Sequence, residues 1–136
     1  MADSEETVTV EQVMTKPVAT IGASESVSAV AEALYERRIG SLIVEEDGEA
    51  IGIVTETDIV EQVASGSAER PVGEIASNPL ITAEPDDPVA EAAERMKRRT
   101  IKKLPVTGED DEVIGIVTTT DISNHFPSHQ FRSEPA

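Results

Sequence analysis

The chain has 136 residues, enough for one compact domain or for two small halves that share a core. Its net charge of −16, from 27 acidic and 11 basic residues, makes nucleic acids and anionic membranes poor partners. The absence of cysteine excludes disulfides and thiolate chemistry. Because no apolar run is long enough to cross a bilayer, and residues 1–9 form an acidic segment unlike a signal peptide, we expect a cytoplasmic protein.

The predicted elements of the first half follow a β-α-β-β-α order. A short apolar run predicts a strand over residues 18–21, and Val27, Val30, Ala31 and Leu34 have the spacing of one apolar helix face. Strands are predicted over residues 41–44 and 50–54, and the Asp47-Gly48 step between them is typical of a hairpin turn. A second helix is expected directly after Thr55. Residues 65–71, rich in Gly, Ser and Pro, form the predicted linker.

The second half repeats this order at an offset of 62 or 63 residues. Residues 80–83 are the predicted first strand, and Asp87-Pro88 predicts a helix with Asp87 as its N-cap and Pro88 at its first position. The predicted strand over residues 103–106 contains Pro105, which cannot donate to a ladder, so we expect this strand to be short or at an edge. Residues 125–136 are expected to form a tail.

The closest internal match is a nine-residue stretch, IGIVTETDI at residues 51–59 and IGIVTTTDI at residues 114–122. Both copies contain Gly-x-x-Thr-x-x-Asp; residues 52–58 are called the first motif and residues 115–121 the second motif. The glycine lets another group approach the backbone closely, and an acid at a helix start can accept hydrogen bonds from a ribose diol. The alternative is that each Thr and Asp only caps its helix.

Six of the 11 cations lie within nine residues: Arg95, Lys97, Arg98, Arg99, Lys102 and Lys103. The helix dipole stabilises cations at the C-terminal end of a helix, so the cluster is explained by a helix end. The same cluster also suits a site that binds an anion, and both interpretations remain open. The acid excess elsewhere falls on the polar faces of periodic segments. We therefore interpret it as a solvated surface suited to high salt, and not as a sign of disorder. This indicates a halophile, and the alternative is an acidic mesophilic protein.

Together these features resemble a CBS-domain pair, or Bateman module. The resemblance is carried by Val13-Met14-Thr15-Lys16-Pro17-Val18, by Leu104-Pro105-Val106 and by both motifs. It implies an α+β fold in which two tandem β-α-β-β-α CBS repeats, at residues 10–64 and 72–124, pack as a pseudo-twofold pair. It also implies adenosine nucleotides in clefts between the repeats, and a homodimer.

Positions carried over from the family give two sets of ligand-binding residues. The first cleft would contain Thr55, Thr57, Asp58, Thr82, Ile101, Lys102 and Lys103. The second would contain Thr118, Thr120, Asp121, Thr20, Ile39, Gly40 and Ser41. The lysines would neutralise phosphate in the first cleft, with Lys102 favoured over Lys103 for facing the ligand, whereas the small neutral residues of the second suit adenine or a nucleoside. The alternative for the two lysines is a solvated pair at a strand start.

The resemblance implies a non-catalytic regulatory module that senses AMP, ADP or ATP, with no catalytic cofactor. Alternatives are a ligand-free scaffold or interaction module, and a regulatory subunit of a separate enzyme such as inosine monophosphate dehydrogenase; the regulated protein is not identified. An enzyme is disfavoured because the chain has no cysteine nucleophile and both histidines lie in the tail. Pro127 would break a helix joining His125 to His129, so we expect no metal site there.

Overall fold

The computed structural model describes residues 7–76 and 80–125. Its regular elements, in chain order, are α1 (Val10–Val13), β1 (Thr20–Gly22), α2 (Val27–Arg37), β2 (Ser41–Glu46), β3 (Glu49–Thr55), α3 (Glu56–Ala64), α4 (Val89–Arg99), β4 (Lys103–Thr107), β5 (Val113–Thr118) and α5 (Thr119–His125). Short 3₁₀ turns cover Val72–Glu74 and Glu109–Asp111. The fold is α+β, and each half has the predicted order of helices and hairpin. No described helix has the length and apolar character needed to span a membrane.

The described residues form two compact units, each treated by itself. Among the described residues, the first unit contains residues 18–76 and 80–81, and the second unit combines residues 7–17 with residues 82–125. The repeats in the sequence and the units in space therefore differ, because the leading segment (residues 7–17) packs with the second repeat. Its α1 contacts α4 and α5, and Thr9 and Thr15 form backbone bridges to Pro88 and Ile116. The predicted boundaries at 10–64 and 72–124 describe the sequence repeat only.

In the first unit, β1 pairs in parallel with β2, and β2 pairs antiparallel with β3. The turn between β2 and β3 has positive φ at Asp47 (54°) and Gly48 (81°), as the favoured two-residue hairpin turn requires. The α2 helix begins after Ser26, whose hydroxyl accepts from the Ala29 N–H at 3.0 Å. Its apolar stripe, Val27, Val30 and Leu34, is buried against the sheet as the spacing predicts.

In the second unit, the predicted strand over residues 80–83 is reduced to one parallel bridge between Ala83 and Val106. The reason lies in Pro105. In the first unit the N–H of Ile43 donates to the carbonyl of Ala19 at 3.0 Å, whereas Pro105, at the equivalent position, has no N–H to donate. The pairing is therefore limited to Ala83, whose N–H donates to the Pro105 carbonyl at 2.9 Å and whose carbonyl accepts from the Thr107 N–H at 2.9 Å.

The start of α4 also differs from the prediction by one residue. Pro88 is the N-cap and Val89 the first helical residue. The Asp87 carboxylate does not cap the helix; it accepts from the Glu84 N–H at 2.9 Å and lies 3.6 Å from the guanidinium of Arg95. An Asp folded back on its own turn is a common alternative to capping. The helix buries Val89, Ala92 and Met96.

Candidate functional site

Each motif lies next to the residues that follow a helix of the same repeat, α2 in the first unit and α4 in the second. In the first unit Ser41 pairs with Thr55, and the Glu56 N–H donates to the Gly40 carbonyl at 3.2 Å. In the second unit Lys103 pairs with Thr118, and the Thr119 N–H donates to the Lys102 carbonyl at 3.0 Å.

The predicted grouping places Lys102 and Lys103 with the first motif and Gly40 and Ser41 with the second, across the two repeats; within each repeat the hairpin sets other neighbours. The hairpin fixes the partners, because an antiparallel pair places the start of one strand opposite the end of the next. The two lysines therefore lie beside Thr118 of the second motif. The sharing of each cleft by both repeats stays a prediction.

Both motifs form complete helix caps. The Asp58 carboxylate accepts from the N–H and the hydroxyl of Thr55, at 2.8 and 3.1 Å, and the Thr55 hydroxyl lies 3.5 Å from the Asp58 N–H. The Asp121 carboxylate accepts from the Thr118 N–H at 3.0 Å, and the Thr118 hydroxyl accepts from the Asp121 N–H at 2.9 Å. Each Thr and Asp therefore caps its helix, and these hydrogen bonds preorganise the side chains of both motifs.

The glycine of the second motif accommodates the leading segment. A Cβ at Gly115 would lie 2.7 Å from the sulfur of Met14 and 3.2 Å from the carbonyl oxygen of Thr15. The group predicted to approach the backbone of this glycine closely is therefore the leading segment of the same chain. The Thr15 hydroxyl also donates to the second carboxylate oxygen of Asp121 at 3.2 Å. Sequence reasoning missed Thr15 as a neighbour of the motif, although it lies in a stretch on which the family resemblance rests.

The remaining predicted residues divide between the units. Ile39 and Ile101 follow the left-handed residues that end α2 and α4, Arg38 and Thr100, and both isoleucines are half-buried. The Thr82 carbonyl accepts from Arg95 at 2.7 Å. Three of the predicted threonines are exposed: Thr20, Thr57 and Thr120.

The cation cluster is partly structural. Arg95 lies 3.6 Å from Glu91 as well as from Asp87, and Arg98 lies 4.0 Å from Glu94. Within residues 7–76 and 80–125, neither Lys102 nor Lys103 belongs to an ion pair, so their charges remain for another anion. Lys102 is exposed and Lys103 half-buried; which of them faces a ligand stays a prediction.

A groove of about 650 Å³ opens at the end of α2 in the first unit. It is lined by Leu34, Tyr35, Glu36, Arg38, Ile39, Gly40 and Glu56. Only Ile39 and Gly40 belong to the predicted site. The signal for Glu56 was present in the sequence, because it is the single difference between the two nine-residue copies, where the second has Thr119.

Three acidic residues, Glu84, Asp86 and Asp87, place carboxylate oxygens within 4.8 Å of one another. The nearby Arg95 and the Glu84 N–H already partner Asp87. The cluster is thus explained as a turn, and it does not include a predicted site residue. Of the two tail histidines, His129 lies outside the described residues.

Two segments of the chain match the same protein family. The CBS domain profile matches residues 10–65 and again residues 72–128. The chain belongs to the CBS domain family. The fold and the tandem order of the two CBS repeats therefore agree with the resemblance stated from the sequence.

Similar proteins include both longer enzymes and isolated pairs. A homoserine O-acetyltransferase of Methanohalobium evestigatum is 37% identical over 115 residues; these cover 84% of this chain and 23% of that protein. The CBS domain pair of protein MJ0100, in complex with 5′-methylthioadenosine and S-adenosyl-L-methionine, has a TM-score of 0.83 at 31% identity, covering 90% of this chain and 98% of that one. The CBS domain protein PAE2072 from Pyrobaculum aerophilum, complexed with AMP, has a TM-score of 0.77 at 27% identity, covering 85% and 91%.

Proposed function

We propose that this CBS domain pair is a non-catalytic regulatory module whose two Thr-x-x-Asp motifs bind adenosine compounds. The observation that carries the proposal is the duplicated, preorganised motif: in each repeat an Asp at a helix start is oriented by the preceding Thr. A carboxylate held in this way can accept hydrogen bonds from the two hydroxyls of a ribose. The adenosine compounds bound by the MJ0100 pair and by the Pyrobaculum aerophilum protein support the same ligand class.

The second motif is the better candidate for AMP, ADP or ATP. Lys102 and Lys103 lie at the strand start that the hairpin holds beside Thr118. Their ammonium groups have no carboxylate partner among the described residues, so a phosphate can take that role. Regulation then requires that the ligand bind one conformation of the module more tightly than another, because only a difference in affinity shifts an equilibrium.

Isothermal titration calorimetry with adenosine, AMP and ATP tests the proposal, with guanosine and GMP as base controls at matched ionic strength. The matched variant is the double substitution Asp58→Asn and Asp121→Asn. An asparagine oxygen can still cap Thr55 or Thr118, while one ligand-facing acceptor is replaced by a donor. We expect roughly tenfold or greater loss of adenosine affinity, since hydrogen bonds to charged groups contribute about 1.5–3 kcal/mol. Wild-type protein that binds none of the adenosine compounds would overturn the proposal.

A ligand-free interaction module is the second candidate, and two observations favour it. Both motifs form complete caps from their own Thr and Asp, and three large apolar side chains on α2 and α3 are exposed: Tyr35 (84%), Val60 (65%) and Val63 (55%). Exposed apolar surface of this kind marks interaction sites. We propose that it joins two copies of the chain as a homodimer. The acetyl transfer of the longer relatives would then belong to their other domains, and a separate regulated enzyme remains a proposal here.

A further inference from the structure

The two motifs share a backbone arrangement but differ in charge. Gly40 and Lys102 occupy equivalent positions, each accepting from the first N–H of the following helix, at 3.2 and 3.0 Å. Ser41 and Lys103 are likewise equivalent, because they pair with Thr55 and Thr118. The first helical residue is Glu56 in one repeat and Thr119 in the other.

These positions produce opposite formal charges. Including the motif aspartates, Glu56 and Asp58 give −2 in the first repeat, where Gly40 and Ser41 add nothing. In the second repeat, two lysines and one aspartate give +1. Because the backbone positions correspond, the two motifs differ by three charges at equivalent places. The first motif therefore disfavours an anionic ligand relative to the second motif.

The groove of the first unit adds a surface suited to a cation. Glu36 and Glu56 both line it, and Arg38 offsets only one of their charges. No described residue forms an ion pair with either glutamate, so both carboxylates can attract a ligand cation.

We propose that the groove at Gly40 and Glu56 selects an adenosine derivative that carries a positive charge, such as a sulfonium, over a phosphorylated one. The nucleoside would use the first motif, and the cationic substituent would extend between the two glutamates. A phosphate in the same position would meet two carboxylates against one guanidinium, that of Arg38. The inference rests on the proposed function, because it assumes that the first motif takes an adenosine compound.

Three probes with one nucleoside and different charges test it: S-adenosylmethionine, 5′-methylthioadenosine and AMP. Titrations use the full chain with Asp121→Asn, which weakens the second motif, at one ionic strength. We expect S-adenosylmethionine to bind most tightly and AMP about tenfold more weakly. Transplanting the second repeat's residues, as Gly40→Lys, Ser41→Lys and Glu56→Thr together, should reverse the order. Glu46→Thr removes an exposed acid outside the groove and should leave the order unchanged.

The outcomes separate the two proposals. AMP binding as tightly as S-adenosylmethionine to the Asp121→Asn protein, or a transplant that leaves the order unchanged, overturns the charge selection while leaving adenosine binding intact. If none of the three probes binds the Asp121→Asn protein although its thermal unfolding is that of the wild type, adenosine binding at the first motif fails, and the inference fails with it.

Discussion

The hydroxyl of Thr15 donates to the carboxylate of Asp121 at 3.2 Å, joining side chains 106 residues apart in the sequence. The backbones of Thr15 and Ile116 pair beside it, with two hydrogen bonds of 2.8 and 3.1 Å. The leading segment is therefore attached to the second motif at the residue proposed to bind ribose. Any ligand that engages Asp121 meets a carboxylate whose two oxygens already accept from Thr15 and Thr118.

Thr15→Val removes the hydroxyl and keeps the shape of the side chain. We expect the free energy of unfolding to fall by about 0.5–1 kcal/mol, the usual net contribution of one partly exposed hydrogen bond. Urea denaturation measures the change, and Thr15→Ser, which keeps the hydroxyl, should remain within about 0.5 kcal/mol of the wild type. A valine variant as stable as the wild type would show that the contact contributes nothing.

Gly115→Ala places a methyl group against the leading segment. The new Cβ would lie 2.7 Å from the Met14 sulfur and 3.2 Å from the Thr15 carbonyl, so Met14 must move and the backbone must yield. We expect a loss of about 1–3 kcal/mol, as for other overpacked sites. Gly22→Ala is the matched control, because a Cβ there meets nothing within 4 Å. Equal effects of the two substitutions in thermal unfolding would contradict this account of Gly115.

Local sequence predicted the elements because their signals are local. The spacing of Val27, Val30 and Leu34 indicates one helix face, and the repeated motif places a cap at each helix start. The strand predicted over residues 80–83 was wrong, although its cause is visible in the sequence: Pro105 lacks the N–H that its counterpart Ile43 donates.

Long-range packing could not be predicted in the same way. Nothing in the periodicity of residues 7–17 indicates that they pack with the second repeat. The grouping of Lys102 with the first motif, which came from family analogy, stays a prediction; within its own repeat the hairpin of β4 and β5 places Lys102 near Thr118. The groove at Tyr35 and Glu56 depends on how a helix end meets a helix start, which residue spacing along one element does not specify.

Salt should stabilise the protein. A net charge of −16 on 136 residues repels itself in the compact state, and the screening length falls from about 10 Å at 0.1 M to about 3 Å at 1 M salt. We expect the midpoint of thermal unfolding to rise steadily with KCl over this range. Sucrose at equal osmolality, which does not screen charge, controls for exclusion of solute from the surface. A midpoint that does not change with KCl, or that rises equally in sucrose, would contradict the halophilic interpretation of the acidic surface.

The homodimer should depend on the exposed apolar side chains of α2 and α3. Tyr35 and Val60 are 84% and 65% exposed, and burying them against a second copy would remove apolar area from water. Substituting both with glutamate places charges in that contact, so sedimentation velocity should show a shift from dimer to monomer across micromolar concentrations. Lys97→Glu introduces the same side chain at the position in α4 equivalent to Tyr35, and it should leave the dimer intact. If the Tyr35→Glu and Val60→Glu protein sediments as the wild type does, the copies associate through another face, because two buried glutamates without partners would cost several kcal/mol.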